Sequence, residues 1–174
     1  MPDLSRRARI VFAAWVVCAV IPVAHLMARH VAPFARGGQA SFKPAPAWRV
    51  RHVLVAGCDC SAVVASALLA RSPRRDLDER IVVVGTGAAF EHPLQQGGWA
   101  VDRLSATDVR DRYGVPGGPW LLVADPSGTE RYSGGYATAR PVRTSDVEDR
   151  RLIDAAIAGS AMAARPSFGC LAAE

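Results

Sequence analysis

The stretch Tyr113-Gly-Val-Pro-Gly-Gly-Pro-Trp-Leu-Leu-Val-Ala-Asp-Pro-Ser-Gly128 decides the fold. It sets two turn clusters around one apolar run. Gly114 to Pro119 reads as a turn, because glycine reaches unusual backbone angles and proline fixes φ. Trp120 to Ala124 predicts a strand, Asp125-Pro-Ser-Gly128 a tight turn, and Thr129 to Ser133 the returning arm of a hairpin. Upstream, Ser105-Ala-Thr-Asp108 has capping-box character and opens a short helix to Tyr113. Trp99 to Leu104 predicts a short strand, residues 86–97 are Gly-rich and read as irregular, and Arg80 to Gly85 predicts another strand. Before them, His52-Val-Leu-Val-Ala-Gly57 reads as a buried strand, followed by Cys58-Asp-Cys60-Ser61 and a helix over Ala62 to Arg71. Downstream, Ser145-Asp-Val-Glu148 is a second capping box. It predicts a helix through about Ser160 with Leu152, Ile153, Ala156 and Ile157 on its apolar face.

The two thiols at the strand-to-helix junction carry the chemistry. Thiolate is the reactive form of cysteine. The start of a helix offers free N–H groups and the positive end of the dipole, both of which favour an anion. Asp59, between Cys58 and Cys60, pulls the other way. A disulfide between positions i and i+2 closes a very small ring, so a Cys58–Cys60 bond is expected to be labile and transferable. The bland alternative is a pair of small buried residues at a strand end, with Pro119 an ordinary trans turn residue.

The order β, α, β, α, β, β, α, with thiols after the first strand and a proline opening the hairpin strand, resembles the thioredoxin superfamily over about residues 50–160. The resemblance implies a mixed β-sheet flanked by helices, a four-stranded core, and a cis Gly118–Pro119 bond beside the thiols. Gly118 would present its backbone to an incoming substrate chain. The Tyr113–Gly128 stretch is similar to the corresponding part of membrane-anchored thiol–disulfide oxidoreductases. The CxC in place of CxxC, the Ser133-Gly-Gly135 run and the terminal Phe168-Gly-Cys170 resemble the RedB-type branch. Clients would be protein thiols or disulfides, or low-molecular-weight thiols, served by a redox partner the sequence does not name. Cys58 is the expected attacker and Cys60 the resolving thiol, with no cofactor. Cys170 can fold back to resolve, add a third sulfur, or sit idle on a tail; docking through Phe168 and Gly169 would bring it to the site.

The rival reading is Cu(I) handling, because thiolates are soft and a CxC pair is a compact clip. Copper-assembly proteins of this fold typically add a later histidine, and none follows His92. Peroxidase chemistry would need an Arg and Thr set around a lone Cys, a pattern absent from the sequence. Trp99, Trp120 and Tyr113 read as core or rim aromatics, His52 and His92 as surface or satisfied core groups, and Glu148-Asp-Arg-Arg151 as a solvated helix face.

The formal charge of +5 lies entirely in residues 1–47; residues 48–174 hold fifteen basic and fifteen acidic groups. The globular part therefore has no basic stripe for nucleic acid, whereas the N-terminal excess suits anionic lipid headgroups. A basic N-terminus (1–9) precedes residues 10–28, IVFAAWVVCAVIPVAHLMA, which hold no Asp, Glu, Lys or Arg. As a helix this stretch reaches about 28 Å, close to the hydrocarbon thickness of a bilayer. It predicts one transmembrane anchor, with a cleaved signal peptide as the alternative. Cys18 inside it reads as a small hydrophobe. Residues 29–47, rich in Gly and Pro, read as a linker to a domain over 48–174. Three basic residues flank the span on each side, so charge leaves orientation open. Thiol chemistry favours a single-pass cell-membrane protein with its domain outside the cytoplasm, periplasmic where the cell has a periplasm.

Overall fold

The computed structural model describes residues 6–31 and 36–172. The chain divides into two units, Met1–Ala32 and Pro33–Glu174. The first contains α1 (Arg6–Val31), with Pro22 inside it. Ile10, Phe12, Trp15 and Ile21 on this helix are exposed. Among the described residues no helix is long and apolar enough to cross a membrane. The expected anchor over 10–28 falls partly on residues 24–31, whose side chains lie outside the described ones, as do residues 1–5 of the basic N-terminus and 32–35 of the linker.

The second unit is built on a mixed sheet. Its strands are β1 (Arg49–Val55), β2 (Asp78–Val84), β3 (Ala100–Leu104), β5 (Trp120–Ala124) and β6 (Glu130–Gly134), ordered β3-β2-β1-β5-β6. β1 pairs parallel with β2, β2 parallel with β3, and β5 runs antiparallel to both β1 and β6. Two further short strands, β4 (Gly117–Gly118) and β7 (Cys170–Leu171), form a separate antiparallel ribbon. The expectation of four strands is thus exceeded. A central mixed sheet with flanking helices fits the thioredoxin-like fold.

Every residue of β1 is buried, as a central strand covered on both faces requires. Alternation along the strands divides the core into two layers. Val50, Leu54, Ile81, Val83, Leu121 and Val123 face α2 (Asp59–Leu69), α3 (Glu91–Gln96) and α5 (Asp149–Ile157). Val53, Val55, Val82, Val84, Trp120 and Leu122 face α4 (Ala106–Tyr113), and the Cys58 and Cys60 side chains pack in this second layer. Each such aliphatic side chain contributes about 1.5–3 kcal/mol when fully buried.

Local chemistry sets the ends of these elements. Ser105 Oγ accepts the Asp108 N–H at 3.0 Å and donates to the Asp108 carboxylate, starting α4 as its sequence predicts. Gly114 closes α4 in the left-handed conformation. At α5 the expected capping box does not form. Thr144–Asp146 is a separate 3-10 turn, whose Asp146 accepts the Val142 and Arg143 N–H groups, and α5 begins after Glu148 with no side-chain cap. α3 lies inside the stretch read as irregular. It has six residues, too few to show a helical period, with Pro93 within its first turn.

Part of the expected linker is laid along the domain. Gly37 N–H donates to Gly114 O at 3.1 Å, Ser41 N–H to Arg112 O at 2.8 Å, and Ala45 N–H to Pro126 O at 2.9 Å. Arg36 forms a two-pronged ion pair with Glu130 on β6.

Candidate active site

The site forms where β1 hands over to α2. Gly57, at φ 69°, turns the chain. Cys58 is the N-cap of α2, with extended backbone, and its carbonyl accepts the Ala62 N–H at 3.0 Å. Ser61 Oγ accepts the Val55 N–H at 2.9 Å and ties the first turn of the helix back to β1. The Cys58 sulfur therefore lies at the positive end of an eleven-residue helix.

The opposite wall is the turn before β5. The Gly118–Pro119 peptide is cis. Cys58 Sγ lies 3.8 Å from Gly118 O. Gly118 is held against β1 so closely that a Cβ there would come within 2.7 Å of Val53 O. The third wall is the C-terminal tail, where Cys170 pairs with Gly118 and Leu171 with Gly117. Cys58, Cys60, Gly118, Pro119 and Cys170 are thereby brought together, while Cys18 lies on α1 in the other unit. All four cysteines are free thiols.

The three clustered thiols are electrostatically unequal. Hydrogen bonding with Cys60, opposed by burial and assisted by Cys170 and Ser61, holds the Cys58 thiol down to about 5. The same contact with Cys58, with burial, pushes Cys60 well above an ordinary thiol. Burial, followed by hydrogen bonding with Cys58, pushes Cys170 up to about 12. One sulfur thus holds the anion and two neighbours retain protons to share with it. Asp59 raises Cys170 and is not among the leading influences on Cys58.

Sequence reading did not single out Arg140. Its exposed guanidinium hydrogen-bonds to the Cys60 thiol and lowers it, acting against Cys58 and burial. It follows β6 by six residues in a stretch with no motif, so only the fold brings it to the site. No group of three or more His, Cys, Asp or Glu side chains among the described residues is arranged to hold a metal ion.

The remaining candidates are structural. His52 is fully buried, with Nδ1 2.9 Å from Tyr136 Oη and Nε2 3.0 Å from Glu79 Oε1. His92 is exposed and pairs with Gln96 at 2.9 Å. Trp99 and Trp120 are core residues, and the Tyr113 ring lies tilted with its centroid 5.7 Å from that of Phe42. Asp149, read as part of a solvated face, is instead buried and paired with Arg71 at 2.6 Å.

A solved hypothetical protein from Sinorhizobium meliloti superposes on this chain with a TM-score of 0.52 at 16% identity, over 82% of this chain and 94% of its own. The likeness is one of fold. An uncharacterized conserved protein from Geobacillus kaustophilus gives 0.48 at 14% identity, over 82% and 92%. A secreted Mycobacterium tuberculosis disulfide oxidoreductase, described as homologous to E. coli DsbE, gives 0.44 at 14% identity, over 66% and 83%. No protein-family model matches the sequence, and no curated protein is similar to it.

Proposed function

We propose that this chain is a membrane-tethered, extracytoplasmic thiol–disulfide oxidoreductase that works through Cys58. The observation that carries the reading is geometric: Cys58 caps the start of α2 with its sulfur 3.8 Å from Gly118 O, beside the cis Gly118–Pro119 bond, and Cys60 and Cys170 pack in the same cluster. Cys58 thiolate attacks one sulfur of a client disulfide. A Cys58–client disulfide forms, and the other client sulfur leaves as thiolate and takes a proton. Cys60 then loses its proton, assisted by Arg140, and attacks the Cys58 sulfur. A Cys58–Cys60 disulfide forms and the second client thiol is released. The client gains two electrons and the chain loses two. A dithiol donor, or two monothiols, returns the chain to its reduced state, and the same steps run in reverse oxidise a client dithiol. Cys170 is a second resolving thiol from the tail side. The uncharged run 10–28 supports tethering, and the CxC spacing and terminal Phe168-Gly-Cys170 support a RedB-like branch.

The test is turnover. Full-length protein with excess dithiol should reduce a protein disulfide catalytically, and Cys58→Ser should abolish the reaction while the fold survives. Undiminished turnover in that variant would overturn the assignment.

A further inference from the structure

Cys58 is 2% exposed and Cys60 4% exposed. A nucleophile so covered cannot meet a client unless its cover moves. Ala172 and Cys170, both from the tail, pack in the same cluster as the two thiols.

The tail lies in a track shaped for an extended backbone. A Cβ at Gly135 would overlap the Pro166 carbonyl oxygen, and one at Gly117 would overlap that of Cys170. A Cβ at Gly134 would come within 2.7 Å of Arg165 O. The floor of the track is therefore bare backbone from three glycines on two separate elements. Its backbone contacts on the floor side are Gly135 N–H donating to Arg165 O at 2.9 Å, Ala172 N–H donating to Pro116 O at 2.9 Å and Ser167 Oγ donating to Pro119 O, and the Arg165 guanidinium pairs with Glu148 at 2.8 Å. Such a track selects extended chain. Arg165 is fixed by its pairing with Glu148, and Ser167 and Ala172 are buried; two further positions are fixed by the site itself. Position 170 stands opposite Gly118 and brings its sulfur to Cys58. Position 169 must be small, because a Cβ on Gly169 would overlap Gly118 O.

We propose that this track is the docking site for an extended client segment carrying Gly-Cys, and that residues 165–172 occupy it as an internal pseudo-client. The proposal rests on the exchange reading above and names its substrate class. A client displaces β7, pairs antiparallel with Gly117–Gly118, and places its cysteine sulfur where the Cys170 sulfur stood.

The experiment uses full-length protein in detergent and three probes. Two are the peptides Arg-Pro-Ser-Phe-Gly-Cys-Leu-Ala and Arg-Pro-Ser-Phe-Ala-Cys-Leu-Ala, each with its cysteine disulfide-bonded to a chromogenic thionitrobenzoate. The third is the small bis-thionitrobenzoate disulfide. Attack by Cys58 joins it to the peptide cysteine and expels the coloured thiolate. Cys170→Ser keeps the tail docked without its thiol, and Cys170→Ser with Gly169→Ala undocks it. Undocking should speed attack on the Gly-Cys peptide by about tenfold or more, with a smaller gain for the small disulfide. In the undocked variant the Gly-Cys peptide should react several-fold faster than the Ala-Cys peptide. Ser167→Ala in the Cys170→Ser background loosens the tail more gently and should shift rates in the same direction, which covers misfolding of the glycine variant. Equal gains for peptide and small disulfide, or no discrimination between the peptides, overturn the docking site alone. No attack on any probe in any variant overturns the exchange reading and this proposal with it.

Discussion

At the residue scale, the account rests on the difference between neighbouring sulfurs. A thiol held to about 5 is already thiolate across neutral pH. Alkylation of Cys58, followed by peptide mass mapping, should therefore change by less than about twofold between pH 6 and 8. An ordinary thiol gains about a hundredfold over that range. A tenfold rise per pH unit at Cys58 would contradict the assignment. The sequence showed that Cys58 and Cys60 start a helix and that Asp59 separates them, but it left the sum of these effects open. The balance is set first by the contact between Cys58 and Cys60 and by burial, with Cys170 assisting Cys58 from the tail; burial and the approach of Cys170 depend on the whole sheet. Gly118 and Pro119 were legible because a Gly-Gly-Pro run before an apolar strand is distinctive. Arg140 was not, because one arginine in a polar loop has no local mark.

At the element scale, a buried charged network ties β1 and β2 to the helices on one face of the sheet. Arg71 pairs with Glu79 at 2.6 Å and with Asp149 of α5 at 2.6 Å, and its guanidinium lies 4.7 Å from the centre of the Trp99 ring. Glu79 also takes His52 and the Arg74 N–H. Burial pushes the Glu79 carboxyl up, but bonds from His52 and Arg71 outweigh it and hold it down to about 2. A depressed carboxyl contributes stability above its unfolded pKa, and that contribution is lost as pH falls through the folded one. The loss should run from about pH 4.5 down to about 2. Glu79→Gln removes one of the two carboxylates that hold Arg71, so it should cost about 1–3 kcal/mol at neutral pH and flatten the acid slope. Denaturant unfolding across pH measures both; an unchanged midpoint at pH 7 would contradict the role given to this network. Sequence pattern found the five strands of the main sheet, α4 and α5 to within a few residues, and missed the short strands β4 and β7. It missed α3, whose six residues are fixed by packing of Leu94 and not by local pattern. It also misread Asp149, because a charged residue beside other charges looks solvated until its partner arrives from α2's end.

At the scale of the whole molecule, the proposal joins an apolar N-terminal run to a redox domain outside the cytoplasm. A reporter active only after export, fused after Glu174, should be active, and full activity of a cytoplasm-only reporter there would contradict the topology. The two-layer core follows from the alternation of side chains along each strand, whereas the spatial order of the strands is a tertiary fact. Docking of the tail was legible in Gly169 and Cys170, whereas Phe168, expected to bury against the domain, is half-buried and joins neither core layer; the register on β4 is a tertiary fact that no local pattern encodes. The central claim is that Cys58 attacks and a neighbouring thiol resolves. It is tested most directly by removing both resolving thiols and weighing the product. Full-length Cys60→Ser/Cys170→Ser, reduced and then mixed with a protein disulfide, should accumulate a mixed disulfide that mass mapping places on Cys58. No adduct on Cys58, or an adduct trapped on Cys60 only when Cys58 is the residue replaced, would contradict the account.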